Sequence, residues 1–137
     1  MNDSERLTSF GDREKPVRYI ETMEVKEGVE CDLYSFNDDP TKDLAVIRVA
    51  AGAKTPMQRV LSGLTTTEGH LAGKGTLTIQ SPDGLVTSFG FDGQNEGEAL
   101  VEVGQIMQWA ADPDRELVFY EVCVPPYEDG RFEDVSE

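Results

Sequence analysis

The chain has 137 residues, 38% of them hydrophobic, and its twelve Lys and Arg stand against 27 Asp and Glu for a net charge of −15. That length holds one domain with a real core and is too short for two ordinary ones. So acidic a surface repels phosphate backbones and anionic membranes, which excludes nucleic acid and membrane surfaces as expected partners.

Six Phe, four Tyr and one Trp argue against a disordered chain. No apolar run approaches the roughly 20 residues that span a bilayer. The start, MNDSERLTSF, lacks the basic and apolar regions of a signal peptide, so a soluble, cytoplasmic protein is expected. Cys31 and Cys123 have no metal-ligand spacing and sit in alternating apolar stretches, where reduced, buried thiols are expected. The charge is uneven. Residues 44–82 hold Arg48, Lys54, Arg59 and Lys74 against the single acid Glu68, a net of +3 that leaves −18 on the rest. This is either chance surface charge or a mouth that attracts an anionic small molecule.

In chain order, residues 1–16 lack periodicity and read as a flexible lead-in. A domain over 17–126 follows, and the acidic segment 127–137 reads as a tail. Strands are predicted at 17–25, 29–36 and 44–50, with Asn37-Asp38-Asp39-Pro40 as a turn between the second and third. Further strands are predicted over 55–61, 64–72 and 76–80, the last two separated by a turn at Gly73-Lys74-Gly75. Ser81-Pro82-Asp83-Gly84 is a hairpin signal, because proline presets φ and glycine tolerates φ > 0. Segments 85–91, 99–103, 106–110 and 117–124 complete about ten short strands without a capped amphipathic helix. The fold class is all-β, a sandwich or a jelly-roll barrel.

The run LAVIRVAAG (44–52), the Leu71-Ala72-Gly73-Lys74-Gly75 turn, the Val103-Gly104 step and the closing strand LVFYEVCVPP together resemble the cupin family. The resemblance implies a cupin-type double-stranded β-helix and a homodimer made by edge strands, for which 17–25 is the candidate. In the family a His-x-His pair, a Glu and a third His hold a metal. The matching positions here fall near Gln58, Val60 and Thr66, and the segment 105–109 holds no histidine, so no cofactor is expected.

Alternate residues of a strand share a face, so Thr66, Glu68 and His70 line up together. With Thr66 inward, Glu68 and His70 enter the lumen. Gln58 faces them, and Met57, Met107 and Trp109 supply walls for a small-molecule pocket. Each residue also has a structural reading: His70 as a hydrogen-bonded buried histidine, Glu68 as an ion-pair member, Trp109 and the methionines as core. Tyr120 and Glu121 point to opposite faces, and either could reach the lumen.

Three functions follow. The first is a barrel that binds a small polar or anionic molecule in its lumen. The second is a metal-independent isomerase or epimerase of sugars or keto acids, with His70 as acid or base poised by Glu68. The third is a divalent-metal protein with Gln58, Glu68 and His70 as an atypical ligand set.

Overall fold

A computed structural model describes residues 6–11 and 13–136. Among them the regular structure is eleven strands: β1 (Ser9–Phe10), β2 (Lys15–Lys26), β3 (Val29–Phe36), β4 (Asp39–Val49), β5 (Gln58–Val60), β6 (Thr65–Gln80), β7 (Val86–Gln94), β8 (Glu98–Leu100), β9 (Ile106–Ala111), β10 (Leu117–Val124) and β11 (Phe132–Asp134). Two of these, β3 and β10, coincide with the strands predicted from alternation. They pair with β4 from either side in the order β1-β2-β3-β4-β10, and β10 joins β6.

The predicted glycine turn at 73–75 is corrected. Strand β6 runs unbroken for 16 residues and changes partners halfway. Its first half, Thr65–Gly73, pairs with β10, and its second half, Gly75–Gln80, pairs with β9. A bulge at Leu71 takes up the change of direction, since Val118 faces Ala72 while Phe119 faces His70. Glycine is required here for close approach rather than for a turn. A β-carbon on Gly73 or Gly75 would overlap the carbonyl oxygen of Glu116 or Ala110, respectively. The sheet continues from β9 through β5 to β11, so β6 binds the two walls of the barrel into one. The Ser81–Gly84 hairpin forms as predicted, with Gly84 N donating to Ser81 O at 2.8 Å.

Two apolar layers hold the fold. The inner one fills the barrel with Val29, Cys31, Ile47, Leu77, Met107, Trp109, Leu117 and Phe119 among others. The outer one, on the opposite face of β3, β4 and β10, gathers Val17, Tyr34, Phe36, Leu44 and Val46. A sheet with apolar residues on both faces needs a second cover. Leu7 and Phe10 provide part of it: Leu7 N donates to Tyr34 Oη at 3.0 Å, and the Phe10 ring meets Tyr120 edge-on at 4.8 Å. The segment read as a lead-in therefore contributes β1 and a cover for the outer layer. Its residues 1–5 and 12 lie outside the described residues. Phe10→Ala should cost about 2–4 kcal/mol in a urea melt, as loss of a half-buried aromatic does. A cost below about 0.5 kcal/mol would mean that this cover carries no weight.

The segment read as an acidic tail also joins the barrel, through β11 and the bond from Val135 N to Met57 O. Strand β11 pairs with β5, Phe132 opposite Val60. Arg131 is buried, and its guanidinium donates to the carbonyls of Thr65, Val124 and Pro125. Along β2, Ile20, Met23 and Val25 stay exposed. Among the described residues no helix is long and apolar enough to cross a membrane.

Candidate functional site

The barrel holds a half-open cavity of about 280 Å³. Its walls come from alternate residues of the strands that face one another. Cys31 and Leu33 of β3, Ala45 and Ile47 of β4, and Phe119 and Glu121 of β10 form one side. Gln58, Met107, Trp109 and Phe132 form the other, and Met23, Glu24 and Tyr127 complete the rim. The lining is mostly apolar. Among the described residues its charged groups are all acids: Glu24, Asp43, Glu68 and Glu121.

Glu68 is 1% exposed. Its Oε1 accepts a hydrogen bond from Trp109 Nε1 at 2.8 Å, while among the described residues no N–H or hydroxyl donor reaches its Oε2. Glu121 stands directly opposite Glu68 in the pairing of β10 with β6. Opposed residues of an antiparallel pair share a face, with β-carbons about 4.5–5.5 Å apart, so the two carboxyls meet in the lumen. Both are acceptors when ionised, and they can bond only through a proton held between them. Burial and then the Glu121 charge push the Glu68 carboxyl well above the usual carboxylate range, against the opposing pull of the Trp109 bond. Asp43 is also raised, chiefly by burial, although Tyr127 N donates to it at 2.8 Å.

Thr66, Glu68 and His70 are all fully buried on the inward face, as the alternation of β6 predicts. Their roles differ from those expected. Thr66 Oγ1 accepts from Arg131 at 3.1 Å, away from the cavity lining. His70 donates from Nε2 to Gly73 O at 2.8 Å and accepts at Nδ1 from Glu96 N at 3.2 Å. Its ring stacks on Phe91, with centroids 5.1 Å apart, and it does not line the cavity. As placed, His70 has no free nitrogen for a substrate or an ion. It pins the β6 bulge to the loop before β8, and Glu68 is bonded to Trp109 rather than to it. This corrects the reading of His70 as acid, base or metal ligand.

Gln58, Met107 and Trp109 line the cavity. The Gln58 amide also donates to Asp134 at 3.1 Å. Trp109 lies flat on Phe119, with centroids 4.4 Å apart, and Phe91 packs against it at 5.6 Å. Met57 is half-buried and outside the lining; its carbonyl accepts from Val135 N at 2.9 Å. Both cysteines are free thiols. Burial pushes the Cys31 thiol up to about 12 and raises that of Cys123 as well, so neither supplies a thiolate.

Of the two readings of the cationic stretch, chance surface charge and a mouth that attracts an anion, the second gains no support from the lining. Arg48 pairs with Asp32 and Glu30, Arg59 with Glu133, and Lys74 with Asp112, and among the described residues no Lys or Arg lines the cavity. Sequence reasoning left Glu121 open, yet a signal was present. Leu117, Phe119 and Cys123 share its face of β10, and an acid flanked by apolar residues in strict alternation belongs on the inward face. Tyr127 and Phe132 gave no such signal, because their segment reads as tail.

No family model matches the chain, and neither does any curated protein. Solved structures do. An oxalate decarboxylase from Bacillus subtilis superposes with a TM-score of 0.69 at 20% identity, over 85% of this chain and 30% of that one. An oxalate decarboxylase from Lactobacillus farciminis, in a formate complex, gives 0.67 at 13% identity over 87% and 33%. CapF, bound to the inhibitor 3-isopropenyl-tropolone, gives 0.67 at 12% over 89% and 34%. The barrel is a cupin fold. The chain spans about a third of the length of these neighbours.

The expectation of no cofactor is overturned by this likeness, for the neighbours with the cupin barrel include a Bacillus subtilis oxalate decarboxylase studied for its Mn(II) centers. The ligand set first expected for an ion in this chain is nevertheless not assembled. Among the described residues no three His, Cys, Asp or Glu side chains gather closely enough to hold an ion. Of Gln58, Glu68 and His70, the histidine is turned away with both nitrogens engaged. These residues do not fit a Mn(II) centre, and no chemical step is derived through one.

Proposed function

We propose that this cupin-type protein binds a small molecule in its lumen and meets the ligand's polar group with Glu68 and Glu121. One observation carries this reading. Glu68 Oε2 is a buried acceptor without a donor, in the wall of a cavity of about 280 Å³ that is otherwise mostly apolar. A buried polar oxygen left without a partner costs about 1–3 kcal/mol, which a ligand donor would recover. An apolar pocket with a few convergent polar groups is the usual make-up of a small-molecule site.

The oxalate decarboxylases are named for a dianion. Four acids and no cation in the lining of this lumen would repel one, so that activity is not carried over. The isomerase reading through His70 gains no support from a ring held on both sides by backbone groups.

Trp109 is the only tryptophan and lines the cavity, so its fluorescence reports what enters. Ala45 lies opposite Glu121 in the β4–β10 pairing and lines the same cavity. Titration with 2-phenylethanol should quench Trp109 saturably in the native chain, and Ala45→Phe, which fills the space, should weaken that binding about tenfold or more. Equal titrations for the two proteins would remove the lumen as the site.

A further inference from the structure

The acids of the lumen, the orphan oxygen and the aromatic wall point to one chemical class of ligand. We propose that the lumen takes an organic monocation, a primary ammonium on an aryl or alkyl body, with the nitrogen between Glu68 and Glu121 and the body against Trp109 and Phe119. The inference rests on the lumen reading above and deepens it.

Three observations carry it. First, Glu68 Oε2 lacks a donor, and the group across from it, Glu121, is an acceptor of the same sign. A ligand hydroxyl could offer one proton to one of these oxygens. An ammonium offers three donors and a charge, enough to bond both carboxyls at once. Second, two carboxyls face each other across a strand pair, with Asp43 and Glu24 on the same lining and, among the described residues, no Lys or Arg beside them. Such a pair either shares a proton or, to ionise fully, needs a cation between its members. Third, the neighbouring wall is the Trp109–Phe119 stack, and aromatic faces attract cations as well as apolar bodies. A carboxylate ligand would meet repulsion at each of these groups. A neutral one could not replace the proton that otherwise bridges the pair.

The test uses three molecules of one shape: phenethylamine, 2-phenylethanol and phenylacetate, each titrated against the full chain at pH 7 with Trp109 fluorescence and calorimetry as readouts. The amine should bind at least about tenfold more tightly than the alcohol, as expected of a charge pair in a partly desolvated site. Phenylacetate should show no saturable binding. Glu121→Gln should shrink the amine-to-alcohol ratio to less than about threefold. If the alcohol binds as tightly as the amine, or Glu121→Gln leaves the ratio intact, the cation inference falls while the lumen reading stands. Saturable binding of phenylacetate with the affinity of the amine would likewise overturn it. If none of the three saturates, both readings fall.

Discussion

Replacing Gly73 by alanine should cost about 3–5 kcal/mol, a large part of the stability of a domain of this size. Two separate penalties add. Gly73 has φ +82°, where an L-residue costs about 1–2 kcal/mol. Its β-carbon would overlap the Glu116 carbonyl oxygen and lie 2.9 Å from the carbonyl carbon, and this neighbour is backbone, which cannot rotate away. Relief requires β6 to move off the turn before β10. That movement would break the 3.1 Å bond from Lys74 N to Glu116 O and disturb the His70 bond to Gly73 O. Gly84→Ala separates the two penalties. Gly84 has φ +90° but nothing within 4 Å of its β-carbon, so it should lose only about 1–2 kcal/mol. Urea melts of both variants give the comparison. Equal losses would show that close approach is not what demands glycine at position 73.

The second large effect is the dependence of stability on pH through Glu68. Burial and Glu121 raise its carboxyl above the ordinary value of 4.5. Between that value and the raised one, the folded chain holds a proton that the unfolded chain has released. Stability therefore falls as pH rises through this window, and the contribution is intact only below the unfolded value. Glu68→Gln removes the titration and suits the geometry. The amide oxygen can keep the Trp109 bond, and the amide nitrogen can donate to Glu121, which a carboxylate cannot do. At pH 8 the variant should be more stable than the native chain by about 1–3 kcal/mol, the usual cost of an unpartnered buried polar group. The advantage should shrink toward zero near pH 4. A variant less stable than the native chain at pH 8, or a gap that does not change with pH, would show that the pair carries no such cost.

The parts of this fold legible in the sequence are those where one side of a strand is buried. VECDLYSF and LVFYEVCV alternate, and their strands form where the alternation places them. The same rule put Glu68 and His70 on one inward face. Glycine misled it. In Leu71-Ala72-Gly73-Lys74-Gly75 the local pattern matches a turn, yet the residues serve a close approach to β10 and β9, strands distant in sequence. His70 misled it differently, because its partners are backbone groups of Gly73 and Glu96 that no side-chain pattern announces. The charge of the 44–82 stretch was legible as a number but not as a direction. Arg48, Arg59 and Lys74 have acidic partners contributed by other strands and loops, and only the assembled sheet shows that the lumen keeps acids alone.

Strand β6 has a consequence for how the molecule can be divided. Because one continuous strand is stitched to β10 along its first half and to β9 along its second, neither wall of the barrel possesses a complete set of its own strands. A break anywhere between Thr65 and Gln80 would sever both walls rather than release one. The two halves of the barrel must be gained and lost together, so the smallest autonomous unit of this architecture is the entire barrel.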